Sequence, residues 1–90
     1  MNDLSQCEVV SVRKLENDGN LKAFIDIRLG GTLVIRGCTV MEGKNGRFAS
    51  LPRRIDRAGK WSDIVIAADD KLRDRYKQII LDAFDEEAGE

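Results

Sequence analysis

The chain has 90 residues, of which 42% are hydrophobic and 34% charged, with a formal net charge of −1. That length allows one domain with a thin core, because a chain of this size buries only somewhat more than about 60% of its unfolded surface. The balance excludes an acidic disordered tail and a membrane protein, and MNDLSQCEVV lacks the basic opening and apolar run of a secretory leader, so a cytoplasmic protein without membrane insertion is expected.

From Glu8 to Leu15 the chain carries Val9, Val10, Val12 and Leu15 and then enters Asn17-Asp18-Gly19-Asn20, where Asp-Gly suits a tight hairpin. Leu21, Ala23, Ile25, Ile27 and Leu29 then alternate with Lys22, Phe24, Asp26 and Arg28. This period of two, with Phe24 as its apolar exception, predicts a half-buried strand paired antiparallel with the first. Gly30-Gly31 opens a turn, and a third strand is predicted from about Thr32 to Met41, with a bulge at Gly37. Asn45-Gly46 predicts a hairpin into a fourth strand, Phe48-Ala49-Ser50-Leu51, which ends at Pro52 because proline cannot donate to a ladder. The polar segment Arg53 to Lys60 reads as a loop, and Trp61 to Ile66 as a short fifth strand with Ile64 and Ile66 on one face.

Asp69 or Asp70 can cap a helix whose apolar residues Leu72, Tyr76, Ile79, Ile80, Ala83 and Phe84 fall on one arc, opposite Lys71, Arg75, Gln78 and Asp82. The apolar stripe is read as the cover of the sheet. The expected fold class is α+β: an antiparallel β-sheet of about five strands followed by a C-terminal amphipathic helix packed on it. Residues 1–90 form a single domain in this reading, with an ordered core over about 7–84 and an acidic tail over 85–90 that frays.

The catalytic inventory is poor. There is no histidine, and Cys7 and Cys38 lie far apart without a neighbouring base or the usual zinc spacing, so both are taken as reduced thiols. Asp69-Asp70 reads as a helix cap and Glu86-Glu87 as a solvated end, while Gly43 and Gly46 fit no phosphate-loop pattern. No enzyme activity, metal or cofactor is expected.

The stretch KNGRFASLPRRIDRAGK, residues 44–60, carries six basic side chains, Lys44, Arg47, Arg53, Arg54, Arg57 and Lys60, against one acid, Asp56. A nearly neutral chain therefore has a strongly positive middle, and an anionic partner responds to that local potential. Arginine suits phosphate because its planar fork bonds two oxygens at once. Six such contacts on duplex DNA correspond to a slope of log affinity against log salt of about −5, and three to roughly −3. A charged loop that only keeps a sheet edge soluble accounts for the same composition. Phe48 and Trp61 flank the patch and offer ring faces on which bases stack. A lone tryptophan beside alternating isoleucines is read as core, as is Tyr76.

Several blocks in order give the chain a resemblance: Val12-Arg13, Asp18 to Ala23, Gly43 to Gly46 with Phe48, Leu51-Pro52, and Gly59-Lys60-Trp61-Ser62-Asp63-Ile64. From about Val9 to Glu86 it resembles the stage V sporulation protein G (SpoVG) family, also called the septation protein family. The resemblance implies a small bacterial homodimer with an antiparallel sheet and a C-terminal helix, implicated in septation and sporulation control, with members that bind DNA and RNA. It also implies a binding role for Arg53 and Arg54 and extends it to Lys71, Arg73 and Arg75 in the helix. The chain departs from the family where Ser-Lys-Arg usually follows the proline, for it has Arg53-Arg54-Ile55, with Arg57 in place of a common proline. Val65-Ile66-Ala67 stands where Thr-His-Pro is frequent.

The expected function is thus that of a homodimeric DNA- or RNA-binding regulator that grips phosphate through its basic connection. The alternative is a protein-interaction module of the division machinery, whose basic edge meets an acidic protein partner and never contacts nucleic acid.

Overall fold

The computed structural model describes residues 6–16 and 19–88. Along the chain run β1 (Cys7–Lys14), β2 (Leu21–Leu29), β3 (Leu33–Gly43), β4 (Gly46–Ser50), β5 (Arg53–Ile55), β6 (Trp61–Asp63) and α1 (Asp70–Ala88). The first four strands form an antiparallel sheet in sequence order, and β5 and β6 pair as a separate two-stranded sheet.

The alternation in β2 decides which face is buried. Ala23, Ile25, Ile27 and Leu29 point inward and meet Cys38 and Val40 of β3 and Ala49 and Leu51 at the end of β4. Tyr76, Ile80 and Phe84, four residues apart on α1, close this layer from above. Each fully buried isoleucine contributes about 1.5–3 kcal/mol relative to exposure. Asp69 is the helix cap: its Oδ1 accepts the amides of Lys71 at 2.8 Å and Leu72 at 3.2 Å, while Asp70 is the first helical residue. The helix runs through the acidic end to Ala88, beyond the point at which fraying was expected.

Turn chemistry sets the register. Gly30 and Gly31 both take positive φ, 59° and 70°, and Thr32 N–H donates to the Leu29 carbonyl at 3.1 Å, a tight turn within the three-residue connection between the paired Leu29 and Leu33. In β3, Arg36 and Gly37 together oppose Asp26, between the pairs Ile25 with Cys38 and Ile27 with Ile35, so the bulge expected at Gly37 is present. Gly37 has φ 89°, and its amide donates to Asp26 Oδ1 at 3.0 Å. The β3–β4 hairpin closes between Gly43 and Gly46, with Lys44-Asn45 at its centre and the positive φ, 115°, at Gly46. The Asn17-Asp18 part of the first expected turn lies outside the described residues, but Leu15 N–H reaches the Lys22 carbonyl at 2.9 Å.

Four local expectations are corrected. A register shift between Leu21 and Ala23 leaves Leu21 opposite Met41, and Leu21 lines the face turned away from the helix. The segment Arg53 to Lys60 is not wholly a loop, because Arg53, Arg54 and Ile55 pair with Asp63, Ser62 and Trp61. Asp56 makes this possible: its Oδ1 accepts the amides of Ala58 and Lys60, both at 2.9 Å, and Gly59 turns with φ 82°. The strand expected to reach Ile66 stops at Asp63, since the amides of Ile64 and Val65 turn back to the Pro52 carbonyl. Val65 and Ala67 then pack on the core while Ile64 and Ile66, on one face as expected, point outward. Finally, Trp61 is not core: it is 55% exposed.

Candidate nucleic-acid interface

The expected basic residues fall in three places. Lys44 is exposed in the β3–β4 turn. Arg47, in β4, bonds Asp85 Oδ1 at 2.6 Å, and its guanidinium lies 5.1 Å from the Phe84 ring centroid. Lys14 Nζ lies 5.5 Å from the same ring. A carboxylate near a helix C-terminus is disfavoured by the helix dipole, so Arg47 offsets Asp85 and ties β4 to the end of α1. That commitment separates Arg47 from the rest of the basic stretch.

The second place is the β5–β6 hairpin. Arg53 Nε meets Asp63 Oδ1 across the strands at 2.9 Å, and its guanidinium lies 5.8 Å from the Trp61 ring centroid. Arg54 follows Arg53 on the strand and so projects to the opposite face, across from Ser62. Arg57 and Lys60 belong to the turn that Asp56 organises. Arg54, Arg57 and Lys60 are exposed and form no ion pair with a described residue. The third place is the helix, where Lys71 is exposed and Arg73 is held by Asp70 at 3.1 Å and Asp74 at 3.4 Å. Arg75 lies near Cys7, at the far side from the hairpin groove, and its charge favours the Cys7 thiolate.

The fold brings part of the second and third sets together. A groove of about 300 Å³ between the hairpin and α1 is lined by Arg53, Arg73 and Lys77, with Asp63, Val65 and Ile66 beside them. Lys77 was not among the expected residues; its signal was the spacing of four from Arg73, which puts both on one helix face. Three cations thus line one cleft, with Arg53 held by Asp63 and Arg73 by Asp70 and Asp74, and Arg53 is its corner toward the hairpin.

Arg53 also lines a second groove, of about 600 Å³, on the open face of the sheet, with Leu21, Phe24, Met41, Phe48 and Trp61. Phe24 was legible only as the apolar exception among the even positions of β2. Both thiols are free. Burial pushes the Cys38 thiol up to about 12, with Asp26 and Cys7 adding to the effect, and burial raises Cys7 more than Arg75 lowers it, so neither is a ready nucleophile. Among the described residues, no group of three or more His, Cys, Asp or Glu side chains is placed to hold a metal ion, and no helix is long and apolar enough to cross a membrane.

Comparison with known proteins agrees with the resemblance. The chain is 30% identical over 76 residues to the septation protein SpoVG of Lachnospira eligens, covering 84% of this chain and 86% of the relative. The SpoVG of Clostridium perfringens is also 30% identical over 76 residues, 84% of each chain. That of Caldicellulosiruptor saccharolyticus is 28% identical over 76 residues, 84% of this chain and 86% of its own. The family model of SpoVG matches residues 6–86, and with nearly the whole described fold inside that match, the chain belongs to the SpoVG family.

Proposed function

We propose that this protein is a cytoplasmic, homodimeric regulator that binds DNA or RNA, with the β5–β6 hairpin and the facing side of α1 as its phosphate grip. The observation that carries this reading is the exposed trio Arg54, Arg57 and Lys60, which no described carboxylate pairs, next to the groove of Arg53, Arg73 and Lys77. Other arginines are held by acids: Arg28 by Glu8, Arg36 by Asp26 and Arg47 by Asp85, and within the groove Arg53 by Asp63 and Arg73 by Asp70 and Asp74. A hairpin that spends its acids on a turn and one cross-strand pair keeps a surplus of positive charge for a partner. Lys44 and Lys71 extend the field from either side, Arg75 serves a more distant contact, and a two-fold axis doubles the footprint. The control of septation or gene expression follows from occupancy of nucleic acid in this reading.

Labelled DNA and RNA of mixed sequence, titrated across a salt series, test it. Three phosphate contacts on duplex DNA give a slope of log affinity against log salt of about −3, and Arg53→Ala/Arg54→Ala/Arg57→Ala, with folding verified, abolishes most of the binding. No binding of the folded wild type to either polymer at low salt overturns the reading. It would favour instead an acidic protein partner of the division machinery, toward which the exposed Ile55, Ile64 and Ile66 beside the basic hairpin point. Competition separates the two, because nucleic acid displaces an acidic peptide under the first reading only.

A further inference from the structure

The sheet has one face covered by α1 and one open. The open face is not the polar surface that usually balances a half-buried sheet. Phe24, Met41 and Phe48 stand on it, and Trp61 reaches it from the β5–β6 hairpin, all lining the groove of about 600 Å³. Phe48 is 47% exposed and Trp61 55%, so both rings are available to a partner.

Charge marks the kind of partner. Arg53 closes one end of the groove, with its guanidinium 5.8 Å from the Trp61 ring centroid. At the other end Phe24 is shared with a shallower depression lined by Arg13 and Arg36. Asp26 lies there too, accepting hydrogen bonds from Ser11 and Gly37 and forming an ion pair with Arg36. Asp63 holds Arg53 at 2.9 Å and Asp26 holds Arg36 at 3.6 Å, while Arg13 forms no ion pair with a described residue. An aromatic strip flanked by one open arginine and two exchangeable pairs matches a ligand with flat apolar faces and negative charge.

Register narrows the choice further. Phe24 pairs with Thr39 and Thr39 with Ser50, so Phe48 sits two strands away and two residues along from Phe24. Ladder spacings of about 4.8 Å between strands and 3.3 Å per residue put their backbone positions about 12 Å apart. Duplex bases, stacked about 3.4 Å apart along each strand, hide their faces against one another and cannot lie on both rings. Unstacked bases of a single strand can, because each base then offers a free face.

We propose that the open face of the sheet is a stacking platform for single-stranded nucleic acid: bases lie on Phe24, Phe48 and Trp61, Arg13 takes a phosphate, and Arg36 and Arg53 exchange Asp26 and Asp63 for phosphate on binding. The proposal rests on the nucleic-acid reading above and adds to it the strandedness of the ligand and a second surface that meets the phosphate grip at Arg53.

Trp61 is the sole tryptophan of the chain, so its fluorescence reports directly on stacking. Oligo(dT) and the oligo(dT)·oligo(dA) duplex of equal length are titrated against the full chain and against Phe48→Leu and Trp61→Leu, which keep apolar bulk at exposed positions and remove the ring. Folding is checked by circular dichroism and thermal unfolding. Oligo(dT) is expected to quench Trp61 and to bind the wild type more tightly than the duplex does, and each variant to lose at least about fivefold in oligo(dT) affinity while duplex affinity stays within about twofold. Binding of both ligands without quenching, unchanged in the variants, overturns the platform and leaves the phosphate grip standing. Binding of neither overturns the nucleic-acid reading and the platform with it. A wild-type dimer that both variants convert to monomer in sedimentation overturns the platform in favour of a second copy of this chain on the same face.

Discussion

Cys38 illustrates how one inward position on a strand fixes a side chain's chemistry. It is fully buried between the sheet and α1, where a thiolate would lack solvent, and its pKa is pushed from 9.0 up to about 12 by that burial, with Asp26 and Cys7 adding to it. A raised thiol pKa favours the neutral form in the folded state, so its contribution is complete below the unfolded value and is lost as pH rises toward the folded one. Between about pH 9 and 12 the unfolded chain has released a proton that the folded chain keeps, and each pH unit in that window costs the folded state up to about 1.4 kcal/mol. The stability gap between wild type and Cys38→Ala, followed by urea unfolding, is therefore expected to hold constant to about pH 9 and to narrow above it. A gap independent of pH up to about 10.5 would contradict a protected thiol. Asp26, its neighbour in the ladder, works differently: it is half-buried, its oxygens accept from Ser11 and Gly37, and it forms an ion pair with Arg36, which anchors the bulge that keeps Ile35 and Cys38 on the correct faces.

Among the elements, α1 has the clearest division between its two ends. Its start is well capped by Asp69 and carries Asp70 in the first turn, both favourable to the helix dipole. Its last turn has no basic residue, and the compensation comes from β4 through Arg47 and Asp85. Asp69→Ala is expected to lower stability by about 0.5–2 kcal/mol in thermal or urea unfolding, and Asp69→Asn to recover most of the loss. Equal losses in the two variants would mean that the carboxylate acts through charge and not as a hydrogen-bond acceptor. The β5–β6 hairpin is the opposite kind of element. Its residues are all exposed, and its two strands hold each other through three ladder pairs, a cross-strand ion pair and the Asp56 turn.

At the scale of the molecule, these differences divide the fold into a stable layer and an appended arm. The buried cluster joins β2, β3, β4 and α1, and the arm joins it through Pro52, whose carbonyl accepts from Ile64 and Val65, and through Val65 and Ala67. Local opening follows buried apolar contact, so the amides of the hairpin are expected to exchange with solvent faster than those of Ile25 and Ile27 in β2, by a factor of about 100 or more. Comparable protection of the amides of Ile55 and Ile25 in the isolated protein would refute this division. The arrangement suits a binding arm: a hairpin with four cations can adjust to a partner without disturbing the core, and Arg53 lies where its two grooves meet.

Much of the fold was legible in the chain because local signals and burial agree there. The alternation of β2, the glycine turns, the bulge glycine and the spacing from Leu72 to Phe84 each predict the structure they form, and the ordered blocks from Val12 to Ile64 carry the family. The candidate site was legible as composition only. Six basic residues in one stretch announce positive charge, but charge has no period, so the segment read as a loop and its cations as one cluster. Tertiary structure sorted them by giving each a partner or none: Asp85 takes Arg47, Asp63 takes Arg53, and Arg54, Arg57 and Lys60 remain for solvent or ligand. It likewise decided that Trp61, Ile64 and Ile66 stay exposed, because the Pro52 carbonyl ends β6 at Asp63 and Val65 and Ala67 are the residues that reach the core. The sequence by itself determined the strands, the helix and the sign of the basic stretch, which depend on neighbours in the chain; only the tertiary structure decided which cations stay unpaired and which aromatic rings stay open, because both depend on groups distant in sequence.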